Sequence, residues 1–167
     1  MDLTHLHLLL NHFPIIGTIA GIGIMLWGLL KNDTGVQKAV LGLWVVLTVI
    51  TLPVMKTGEE AEETVENIPG ISENIMHEHE EAAEFALWWM IALGALSLVA
   101  LITGRNGLNK KLVYAAFAVS LMTFAVMART GYLGGQIRHT EISGKAATAN
   151  NGAETGAETG AAEEDDD

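Results

Sequence analysis

The sequence predicts an all-α protein: a transmembrane four-helix bundle with an acidic extramembrane connector and a disordered C-terminal tail. Three observations carry this. Four uncharged apolar stretches recur along 167 residues. Half of the residues are hydrophobic, although the formal net charge is -11. The acidity is also segregated: residues 56–84 hold one Lys and ten Glu, residues 144–167 hold one Lys and seven acids, and the remainder is net +4.

The apolar stretches cover about 13–30, 39–55, 85–103 and 112–128, each close to the roughly 20 residues that cross a bilayer as a helix. They are apolar all round, whereas helices of a water-soluble bundle keep a polar face at 3.6-residue spacing. Asp2 and no Lys or Arg precedes the first stretch, and Lys31 follows it, so it is expected to stay as a helix and not to be cleaved as a signal peptide. The short turns 31–38 and 104–111 concentrate Lys31, Lys38, Arg105, Lys110 and Lys111. By the positive-inside rule these turns face the cytoplasm, which predicts a multi-pass inner-membrane protein with both termini and the connector 56–84 on the outer, periplasmic side.

Within the connector the pattern predicts a short helix from about Glu59 to Asn67, broken at Pro69–Gly70. Helix then resumes near Ile71 and runs to Thr103, roughly 50 Å at 1.5 Å per residue, so this helix projects about three turns beyond the hydrocarbon. Residues 1–143 form the membrane domain. Residues 144–167, with a repeated GAET and a closing EEDDD, have little to bury and are expected to be disordered.

Several function classes drop out. A chain this acidic has no basic stripe for nucleic acid. With no Cys there is no disulfide, thiolate metal site, cysteine nucleophile or C-x-x-C-H haem attachment. No phosphate loop, G-x-S-x-G or H-E-x-x-H occurs, and HEHEE has the wrong spacing for the last.

The chemical signal lies in six histidines, His5, His7, His12, His77, His79 and His139, which this topology places on one side of the membrane. Imidazole is the commonest neutral-nitrogen ligand for haem iron, copper and zinc. At 100° per residue His79 shares a face with Ala83, Ala86, Met90, Leu93 and Ser97, the small-residue stripe expected to face the bundle interior. His77 goes with Glu81, Glu84 and Trp88, toward solvent or the membrane interface. His5 and His12 share a face with Ile16, Ile19 and Gly23, with His7 about 140° from His12 on a straight helix and Pro14 able to kink or start that helix. The plain alternative for any one of these rings is an interface residue satisfied by water.

Gly17 with Gly21, and Gly131 with Gly135, are spaced for close helix packing or for room beside a flat macrocycle. Arg129 and Arg138 flank the second pair and can either pair with connector glutamates or hold a cofactor carboxylate. Glu59, Glu60 and Glu80 are either oxygen ligands and proton carriers or part of a solvated face.

Two end motifs carry a resemblance. HLLLNHFPIIG, His7 to Gly17, resembles the HPxxVHFPIAL opening of the bacterial four-span membrane family called domain of unknown function 2231, with Leu8 standing where that motif has proline. ARTGYLGGQIRHTEI, Ala128 to Ile142, resembles its G-x-L-G-G...H closing segment. The likeness spans about residues 5–142 and implies b-type haem binding in respiratory electron transfer, carried onto His7, His12, His79 and His139. The expectation is a small membrane cytochrome b holding one or two haems, with His12 and His79 as the first pair. It would be an electron carrier or a subunit of an oxidoreductase complex or homo-oligomer, exchanging electrons with a membrane quinol and an outer-face protein. Two rivals are a copper or zinc site built from His with Glu59 or Glu80, and a cofactor-free accessory subunit whose acidic segments attract a basic partner.

Overall fold

A computed structural model describes the backbone of residues 3–65 and 73–138 and the side chains of residues 5–62 and 73–137. The Pro69–Gly70 break, His139 and the tail 144–167 lie outside the described residues. Five helices follow in order: α1 (Leu3–Leu10), α2 (His12–Leu30), α3 (Thr34–Val65), α4 (Glu73–Thr103) and α5 (Lys110–Arg138). No strand occurs among the described residues.

α1 and α2 are separated only by Asn11, whose amide still donates to the His7 carbonyl at 2.9 Å. Pro14 falls in the first turn of α2, where a missing N–H removes nothing the helix would have used. Beyond Leu30 the chain reverses through Asn32 in the left-handed region, φ 52°. Asp33 then caps α3, its Oδ1 accepting from the amides of Gly35 (2.9 Å) and Val36 (3.1 Å). At the next turn Asn109 Oδ1 accepts from the Lys111 amide at 3.0 Å, which starts α5.

The connector differs from the sequence expectation. No separate helix begins at Glu59; α3 runs unbroken for 32 residues, about 48 Å, through Pro53 and Gly58 to Val65. Pro53 has no amide to offer the Val49 carbonyl, yet one forfeited rung does not stop a helix whose later residues, EEAEETV, are mostly good helix formers. α4 rises comparably, with 31 residues from Glu73. Four helical segments, His5–Leu30, Thr34–Glu62, Glu73–Thr103 and Lys110–Ile137, are long and apolar enough to cross a membrane, which makes the chain a multi-pass membrane protein.

Each of α2 to α5 packs on the next, α5 returns to close on α2, and α1 lies chiefly against α3. Trp44, Met25, Leu41, Met90 and Leu93 fill the centre with no exposed surface, while Trp27, Val49, Trp88 and Leu121 point outward as lipid-facing residues do. Small residues let backbones close in: a Cβ on Gly17 would stand 2.7 Å from Leu47 Cδ1, and one on Gly21 would stand 2.5 Å from Trp44 Nε1. Hydroxyls clip neighbouring helices together. Thr48 reaches the Trp44 carbonyl (2.9 Å) in its own helix and the Met90 carbonyl (3.0 Å) in α4, and Thr130 of α5 donates to the Ala82 carbonyl at 3.0 Å. Thr48→Val keeps the shape and removes one clip, so chemical unfolding in detergent should show a loss of only about 0.6 kcal/mol.

Candidate cofactor site

The connector end of the bundle holds a half-open cavity of about 490 Å³ to which all five helices contribute. That size falls within the roughly 300–1,000 Å³ of small-molecule and cofactor pockets. Three of the predicted histidines line it: His7 from α1, His12 at the start of α2, and His79 from α4.

His7 and His79 are held in the same manner. The Nδ1 of His7 lies 3.0 Å from the Val54 carbonyl of α3, and the Nδ1 of His79 lies 3.0 Å from the Thr130 carbonyl of α5. A carbonyl only accepts, so Nδ1 carries the proton in both rings and Nε2 of the neutral imidazole presents its lone pair. Neither Nε2 has a hydrogen-bond partner among the described residues.

The repetition extends to the helices that receive them. Four residues after Val54 comes Gly58, and four after Thr130 comes Gly134. A Cβ on Gly58 would stand 3.0 Å from Cε1 of His7, and one on Gly134 would stand 3.0 Å from Cε1 of His79. Each imidazole therefore rests on a glycine while bonding the carbonyl one turn below it. The two rings enter from different helices and are both partly buried at one cavity. Thr57 braces the first berth: its hydroxyl bonds the Pro53 carbonyl at 2.9 Å and lies 3.5 Å from His7 Nδ1.

His12 is held differently. Its Nδ1 donates back to the Leu8 carbonyl of the preceding turn at 2.8 Å, and its ring is exposed at the cavity edge. The pairing that the structure builds symmetrically is thus His7 with His79, where the sequence had placed His12 with His79. His77 is exposed, 3.6 Å from Glu80 and 3.4 Å from Glu81. Arg129 is exposed and does not line the cavity; the side chain of Arg138 and all of His139 lie outside the described residues. His5 does not line the cavity, nor do Glu59, Glu60 and Glu80; the carboxylate on its wall is Glu62.

Ala83, Ala86, Gly131 and Gly135, singled out in the sequence, also line the cavity, and sequence reasoning missed the rest. Met55, Met76 and Met127 supply polarizable thioethers, and the Asn11 Oδ1 is buried with no hydrogen-bond partner among the described residues. The signal for these was weak, because Met and Asn near a helix end are ordinary core and turn residues. Among the described residues no three His, Asp or Glu side chains converge as a ligand set for a metal ion. Comparison with protein-family models, with curated proteins and with solved structures returns no match, so the reading of this site stands on its own geometry.

Proposed function

We propose that the protein is a small membrane cytochrome b in which the imidazoles of His7 and His79 would hold one haem b in the connector-end cavity. One observation carries the reading. Two neutral imidazoles on different helices are each anchored through Nδ1 to a backbone carbonyl, and each leaves Nε2 free at the same cavity. Iron-ligating histidines are held in this way, the second ring nitrogen donating to a carbonyl or carboxylate that fixes tautomer and orientation.

The donor set also favours a macrocycle over a bare ion. A porphyrin brings four nitrogens and asks the protein for two, which is the number of carbonyl-anchored imidazoles at this cavity. Bound there, the haem would supply a one-electron couple. The chain's own part is to hold the imidazoles on carbonyls, surround the site with Met, Ala and Leu side chains that keep water out, and leave Gly58 and Gly134 bare so that the rings can seat. Five cations in the two short turns at the opposite end support placing the histidines on the outer side of a bacterial inner membrane, where electrons would pass between a membrane quinol and an outer-face partner.

An absorption spectrum with a pyridine haemochrome assay on the purified protein tests this. A Soret band and a sharp α band after dithionite, with about one haem b per chain, are expected; protein free of porphyrin after expression with ample haem would sink the proposal. Gly134→Ala adds a methyl 3.0 Å from His79 Cε1 and 3.4 Å from its Nδ1, which displaces the ring from its carbonyl. Haem affinity, read by transfer to apomyoglobin, should fall about tenfold, at the lower end of what disturbing an outer-shell partner costs.

A further inference from the structure

We propose that the seam between α1–α2 and α5 is a lateral site for the head group of a lipid-soluble hydroquinone, with His12 Nε2 accepting the hydrogen bond of its hydroxyl. This deepens the cytochrome reading and rests on it for its purpose. The seam itself is read from packing alone.

α1 lies chiefly against α3, so the cavity wall between it and α5 is the thin one. Four lining residues on that side are exposed: Leu8 and His12 on one rim, Gly131 and Gly135 on the other, each pair spaced one turn apart along antiparallel helices. Among the described residues nothing would lie within 4 Å of a Cβ on Gly135, and only Ile15 Cδ1, at 3.4 Å, would approach one on Gly131. The opening faces lipid. Beside His12 on its own face stand Leu9, Phe13 and Ile16, all more than half exposed, and beside the glycines stands Tyr132, 62% exposed. His12 thus sits on the boundary between the lipid-facing side and the cavity, where the uncharged run begins at Phe13.

The occupant is specified by what the rims offer. The glycine rim is bare backbone that a flat ring can approach. The opposite rim carries acceptors without a partner among the described residues: the buried Asn11 Oδ1 and, at the opening, His12 Nε2, whose ring is engaged through Nδ1 with the Leu8 carbonyl. An acyl chain would have no use for those atoms. A quinone offers them only another acceptor, while a hydroquinone offers an O–H. The site therefore discriminates by oxidation state, holding the reduced form that a cytochrome would draw on.

Equilibrium binding of decylubiquinol and decylubiquinone to the purified full chain in detergent decides the point, with dithionite present in the quinol arm. One saturable quinol site per chain is expected, with the quinone about tenfold weaker, the worth of one hydrogen bond. His12→Leu should lower quinol affinity about tenfold and erase the preference. His12→Gln, whose amide oxygen accepts, should restore most of it and thereby separate a lost hydrogen bond from a lost fold. Gly135→Leu should fill the seam and abolish binding. No saturable binding, equal affinity in His12→Leu, or full displacement by added phospholipid would overturn the proposal. Haem content is read on the same samples: haem without quinol binding sinks this inference alone, and quinol binding without haem sinks the cytochrome reading alone.

Discussion

Alanine at His7 or at His79 is expected to strip the protein of low-spin haem, while alanine at His77 leaves haem content unchanged. Each of the first two changes removes one ring nitrogen from the cavity and leaves its carbonyl, of Val54 or Thr130, still bonded within its own helix. The bundle keeps its core, since neither ring belongs to the buried cluster around Trp44 and Met90. Disturbing an outer-shell partner costs about 10–100-fold in affinity, and losing a ligand costs more, so purified H7A and H79A should carry only a few per cent of the wild-type haem. Imidazole in the medium should restore part of the low-spin spectrum by occupying the vacated place. His77 is the control: its ring is exposed beside Glu80 and Glu81 and does not line the cavity. Full haem in both H7A and H79A would refute the assignment of ligands, and loss in H77A would show that the assay reports general damage.

The second large effect belongs to the fold. Gly21→Val should destabilise the bundle by about 3 kcal/mol, because overpacking a tight core costs 1–3 kcal/mol and sometimes more. The added Cβ would meet Nε1 of Trp44 at 2.5 Å, Cε2 at 3.2 Å and Cδ1 at 3.3 Å, and the indole is rigid and fully buried. Gly23, two residues on, has nothing within 4 Å of its Cβ position. Gly23→Ala should therefore shift stability the other way, by up to about 1 kcal/mol, through the chain entropy a glycine forfeits in a helix. Denaturant midpoints of the two variants in the same detergent, moving in opposite directions, are the expected result; equal shifts would show that neither glycine is a packing contact.

The four spans were legible because each is an uninterrupted uncharged run, and lipid demands that of a helix. The extent of α3 was less so. Its run ends in P-V-M-K-T-G-E-E, where proline, lysine and glycine all read as punctuation, yet tertiary support from α1 and α4 outweighs one missing rung at Pro53. His79 was placed by its small-residue stripe, and Ala86, Met90, Leu93 and Ser97 are indeed buried. The same rule applied to α2 picks out Pro14, Thr18, Gly21, Met25 and Gly28, all buried, and at 100° per residue His7 projects onto that stripe. Ile16 and Ile19, which share the His12 face, are 59% and 47% exposed, so that face turns outward, as side-chain size indicates. In a membrane the bulky aliphatic face turns to lipid and the small or polar one turns inward. The berths of the two rings were not legible at all, since a carbonyl and a glycine four residues apart mean nothing until the partner helix is known.

Pro53 gives those berths different mechanics. His7 hangs on the Val54 carbonyl, one residue past a proline whose missing amide leaves the Val49 carbonyl without a helical partner. His79 hangs on Thr130 in α5, which has no proline from Lys110 to Arg138 and whose hydroxyl ties that stretch to the Ala82 carbonyl. The first berth is thus steadied within its own helix, by the Thr57 hydroxyl on the Pro53 and Val54 carbonyls, and the second across helices, by the Thr130 hydroxyl on the Ala82 carbonyl.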